Sequence, residues 1–87
     1  MARIIQKADR LKRRGALSEA LALYQSAVQL APRDLSFRIR LGMIQARLGD
    51  VSGALRTLEW VRRQAGESRA DRLRANLVMI WNRERKR

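Results

Sequence analysis

The chain has 87 residues, with 20 Lys and Arg against 8 Asp and Glu and a net charge of +12. It contains neither cysteine nor histidine. That excludes disulfides and thiolate metal sites and removes the commonest general base and metal ligand, so catalysis is not expected and no cofactor or metal is called for.

In chain order, Ile4, Ala8 and Leu11 recur at helical spacing and predict a first helix over about residues 2–14, stopped by Gly15. A second helix is expected over 17–31, with Leu17, Ala20, Leu21, Tyr24, Ala27, Val28 and Leu30 on one broad face. Pro32 ends it. Asp34 or Ser36 is placed to cap a third helix carrying Ile39, Leu41, Ile44 and Leu48, which ends at Gly49. Asp50 is placed to cap a fourth, carrying Val51, Ala54, Leu55, Leu58 and Val61 and ending near Gly66. Ser68 precedes a last helix over about 69–83, and the tail RERKR is expected to fray. No segment alternates with period two, so the chain reads as all-α. Its connections are short enough to make successive helices antiparallel.

Laid on 35–68 without a gap, residues 1–34 share seven identities: Ile5/Ile39, Arg13/Arg47, Gly15/Gly49, Ser18/Ser52, Ala20/Ala54, Leu21/Leu55 and Ala31/Ala65. They concentrate on a glycine turn and on the helix after it. A helical hairpin repeating at 34 residues resembles the tetratricopeptide repeat, whose pattern is W-x2-L-G-x2-Y, A-x3-F and P. The first unit carries Ala20, Tyr24, Ala27 and Pro32; the second carries Leu41-Gly42, Ala54 and Leu58. Lys7-Ala8 in place of Leu-Gly, Arg38 in place of a large apolar residue and Gly66 in place of proline depart from it. The resemblance implies an α-solenoid of five antiparallel helices: one repeat at 1–34, a second at 35–68, and a capping helix with a basic tail at 69–87.

The resemblance also implies that the first helix of each unit lines a concave groove that takes a partner's peptide or helix. Strict 34-residue phasing places Ile5, Gln6, Asp9 and Arg13, then Ile39, Arg40, Met43 and Arg47, then Leu73, Arg74, Leu77 and Trp81 on that groove. The expected partner-binding residues are therefore Ile39, Arg40, Met43 and Arg47, with Arg74, Leu77 and Trp81 from the last helix. A one-residue slip in the turn Gly66-Glu67-Ser68 would instead turn Leu73, Leu77 and Ile80 inward as a seal. The places that hold a chaperone's C-terminal carboxylate in one branch of the family carry Ile5, Asp9, Arg40, Ala70 and Arg74 here, and four of the five depart from its pattern.

The expected function is that of a non-catalytic adaptor or scaffold binding an acidic or amphipathic segment of another protein. The charge suits acidic partners, although codon bias yields the same arginine-rich composition. Nucleic-acid binding through KADRLKRR and RERKR is the alternative from another class, opposed by the few aromatics, Tyr24, Phe37, Trp60 and Trp81. Self-association through an open end of the solenoid is a third reading. The N-terminus lacks the apolar stretch of a signal peptide and no run of about 18 apolar residues is present, so a cytoplasmic protein without a membrane span is expected.

Overall fold

A computed structural model describes residues 2–85. Five helices follow one another: α1 (Ala2–Arg13), α2 (Leu17–Leu30), α3 (Leu35–Arg47), α4 (Val51–Ala65) and α5 (Glu67–Arg85). No strand occurs among the described residues. Of the tail expected to fray, Arg83–Arg85 continue α5, whereas Lys86 and Arg87 lie outside the described residues.

Both hairpin turns are built the same way, which explains the shared glycine. Gly15 and Gly49 take φ of 84° and 80°, the left-handed region that costs glycine least. This closes each helix with a paired motif. The amides of Gly15 and Ala16 donate to the carbonyls of Lys12 and Leu11, and those of Gly49 and Asp50 to Ala46 and Gln45. Asp34 caps α3 by accepting from the Phe37 amide at 3.1 Å, and Asp50 caps α4 by accepting from the Gly53 amide at 2.9 Å.

The core divides into two clusters that share α3. Ile5 and Ala8 of α1, with Ala20, Tyr24, Ala27 and Val28 of α2, meet Leu41 and Ile44 of α3. On the other side, Ala46 of α3, Ala54 and Val61 of α4, and Leu73, Leu77 and Ile80 of α5 form the second cluster. Leu35, Ile39, Met43, Leu58, Trp60 and Trp81 lie against it, partly buried. The molecule measures 34 × 30 × 17 Å, about two helices thick, so every helix keeps a solvent face.

The last helix departs from strict repetition. Four residues separate α2 from α3, but Gly66 alone separates α4 from α5. Its amide closes α4 on the Arg62 carbonyl, and its own carbonyl accepts from Ala70 as the first bond of α5. α5 therefore begins at Glu67, two residues before the expected start. Ala70, Leu73, Leu77 and Ile80 turn inward against α3 and α4, and α5 seals the core.

Candidate functional site

The phase of α5 decides where the expected site residues stand. Leu77 is fully buried in the second cluster and is not part of any surface. Trp81 is half-buried against the same cluster. Arg74 opens onto an outer cleft between α4 and α5, with Leu55, Leu58, Glu59, Arg62, Glu67, Ala70 and Asp71. Strict phasing thus fails for Leu77 and Arg74, as α5 follows α4 after Gly66 alone and turns Leu73, Leu77 and Ile80 inward. In the first unit Ile5, expected on the groove, is buried in the first cluster.

The inner side, where the first helices meet, holds a cleft of about 300 Å³ lined by Lys12 of α1, Met43 and Arg47 of α3, and Ile80, Arg83 and Glu84 of α5. Met43 and Ile80 supply apolar surface. Lys12, Arg47 and Arg83 supply three cations against the one carboxylate of Glu84. None of those three cations forms an ion pair with another described residue. A second cleft, about 150 Å³, lies nearer the N-terminal ends of α3 and α5, between Ile39, Arg69, Arg72, Leu73 and Asn76. Two of the expected groove residues, Met43 and Arg47, thus share the larger cleft, and Ile39 lines the smaller. Ile39 and Met43 also lie partly buried against the second cluster, which adds an internal packing role to their place on the surface.

Arg40 is committed elsewhere. Its guanidinium pairs with Asp9 of α1 at 3.6 Å and donates to the Ser36 hydroxyl. Asp9 also accepts from the hydroxyl of Tyr24, which is fully buried. Burial first, then the hydrogen bond to Asp9 and its negative charge, push the Tyr24 phenol above its ordinary range. One carboxylate therefore ties α1 to both α2 and α3.

Further ion pairs lie on the outer side. Glu59 pairs with Arg62 and Arg63, Arg62 with Glu67, and Asp71 with Arg74. Hydrogen bonds from Arg62, joined by those from Arg63 and by both positive charges, hold the Glu59 carboxyl below its usual value against the opposing effect of desolvation. Arg38, at the position the family pattern gives to a large apolar residue, stacks its guanidinium 4.6 Å from the centre of the Trp60 ring. It covers that ring through cation–π contact.

Lys12, Arg69, Arg72 and Arg83 were absent from the expected site. The signal for the last three is the stripe Ala70, Leu73, Leu77 and Ile80. Once that stripe is assigned to the core, the neighbouring edge of α5 carries Arg69, Arg72, Asn76 and Arg83.

The sequence matches the family model of the tetratricopeptide repeat over residues 11–77. Comparison with curated proteins and with solved structures found no match. No described helix is long and apolar enough to cross a membrane.

Proposed function

The chain belongs to the tetratricopeptide-repeat family, and on that premise we propose that it is a binding module for an acidic, amphipathic segment of another protein, received on the inner side of α1, α3 and α5. Repeats of this family generally mediate protein–protein interaction as non-catalytic modules. The observation that carries the finer reading is the larger inner cleft. Its apolar floor of Met43 and Ile80 sits among Lys12, Arg47 and Arg83, which lack acidic partners among the described residues. A guanidinium offers a planar fork that matches a carboxylate and forms charge-assisted hydrogen bonds. The outer cleft also has an apolar floor, but Glu59, Glu67 and Asp71 already pair with its arginines.

The test is fluorescence anisotropy with a panel of labelled acidic amphipathic peptides at physiological ionic strength. Arg47→Glu with Arg83→Glu abolishes capture, while the far-UV spectrum and melting curve stay those of the parent. Arg33→Glu with Arg56→Glu, which makes the same change of net charge away from the clefts, retains capture. Capture that survives the Arg47/Arg83 reversal sinks the reading. So does a random oligonucleotide that binds more tightly than every peptide, because phosphate-driven binding needs no apolar floor.

A further inference from the structure

We infer that the inner side recognises a two-ended segment: two acidic clusters about 15 Å apart, joined by an apolar stretch. This rests on the protein-binding reading above and specifies the chemistry of the partner.

The seam between α3 and α5 opens twice, and both openings use the same edge of α5. At about 100° per residue, Arg69, Arg72, Asn76 and Arg83 fall within a sector of about 60°. Arg69 and Arg72 stand at the smaller cleft and Arg83 at the larger, joined there by Arg47 and Lys12. Between these poles the seam is apolar: Ile39 and Met43 lie partly buried beside Leu73 and Ile80. From the middle of the Arg69–Asn76 stretch to Arg83 is about ten residues, or about 15 Å at 1.5 Å per residue.

The cations at the two poles make no ion pair with a described residue. Most of the chain's few acids are engaged elsewhere. Asp34 and Asp50 cap helices, Asp9 holds Arg40, and Glu59, Glu67 and Asp71 pair on the outer side. Among the described residues, Glu84 is the one acid lining either inner cleft, beside three cations. The positive field over the seam is therefore left for a ligand to neutralise.

The charge pattern distinguishes the class of ligand. A nucleic-acid strand carries phosphates at even, short intervals and would set charged backbone against Ile39 and Met43. A protein segment with acid at both ends and apolar side chains between matches cation, apolar floor and cation in turn. A span of about 15 Å corresponds to four or five residues in an extended segment and to about ten in a helix.

The test uses the full chain and labelled synthetic peptides of equal charge. Two of them carry a glutamate pair at each end, with an apolar spacer of about four residues in one and about nine in the other, matching the extended and helical spans. A third carries all four glutamates at one end. A random 20-mer RNA is the fourth probe.

At least one two-ended peptide is expected to bind about ten-fold or more tighter than the one-ended peptide, the scale of one added charge-assisted contact. Arg69→Gln with Arg72→Gln and Arg47→Gln with Arg83→Gln each remove about that factor, whereas Arg33→Gln with Arg56→Gln, which removes the same charge, changes affinity less than about two-fold. Melting curves confirm that each variant folds.

Equal binding of the one-ended peptide, still dependent on Arg47 and Arg83, overturns the two-ended inference and leaves the protein-binding reading standing. An equal loss in the Arg33/Arg56 control also overturns it. If no peptide binds, or the RNA binds more tightly than all of them, inference and reading fall together.

Discussion

The backbone of Gly42 faces the side chain of Thr57 so closely that a Cβ at position 42 would lie 2.8 Å from the Thr57 methyl carbon. Gly42 is on α3 and Thr57 on α4, and both are buried. Thr57 also donates its hydroxyl to the Gln45 side chain at 2.9 Å, which fixes the methyl against α3. Gly42→Ala is therefore expected to destabilise the fold, because overpacking of about 1–3 kcal/mol exceeds the helix-propensity gain of about 1 kcal/mol. The double change Gly42→Ala, Thr57→Ser deletes the offending methyl and keeps the hydroxyl. It should melt near or above the parent. Chemical denaturation of the two single variants and the double variant measures the coupling; simple additivity would show that the two positions do not compete for space.

The Tyr24–Asp9 bond predicts alkaline sensitivity. An unfolded tyrosine ionises near pH 10, whereas the buried phenol keeps its proton to higher pH. Above about pH 10 the folded chain thus holds a proton that the unfolded chain has lost, so stability falls as pH rises and is fully present below that value. Urea melts between about pH 9 and 11 should show this loss, and Tyr24→Phe should lack it.

Arg40 is a poor position for testing partner capture, because its charge also serves the fold. Arg40→Glu sets a carboxylate beside Asp9 and is expected to cost roughly 1–2 kcal/mol through loss of the pair and new repulsion. The swap Arg40→Glu with Asp9→Arg should recover part of that cost in thermal melts. No recovery would mean that the pair does not couple α1 to α3.

The phase of α5 predicts a contrast between two leucines. Leu77→Ala empties a fully buried site and should cost about 2–5 kcal/mol. That is a large share of the roughly 4–13 kcal/mol typical for a chain of this length. Leu55→Ala, at a position 47% exposed, should change stability by less than about 0.5 kcal/mol. A reversed order in denaturant midpoints would restore the strict-repeat phasing.

The repeats were legible because the same local devices occur twice. A left-handed glycine closes the first helix of each pair, and small residues at Ala20 and Ala54 let the second pack closely. Asp34 and Asp50 were likewise readable as caps. The inner clefts were harder to read because the placing of α5 beside α3 depends on the length of a single linker. Gly66 both ends α4 and supplies the first acceptor of α5, and nothing in local composition distinguishes that double use from an ordinary turn. Arg38 illustrates a second limit. Its value as a cover for Trp60 exists only once α4 lies alongside α3, so periodicity registers it merely as a charged residue in an apolar place. The commitment of Arg40 to Asp9 is likewise tertiary, set by the approach of α1 to α3.

The sharing of α3 between two cores bears on how the molecule comes apart. A solenoid whose units each owned a core would lose its end unit first and melt in stages. Here Leu41 and Ile44 belong to one cluster while Ala46 of the same helix belongs to the other, so neither half keeps its packing if α3 unwinds. On the proposed reading, an occupant pressed on Met43 would clamp the one helix on which both halves depend. Binding there would then couple to global resistance to unfolding, with the melting temperature expected to rise as ligand concentration exceeds the dissociation constant.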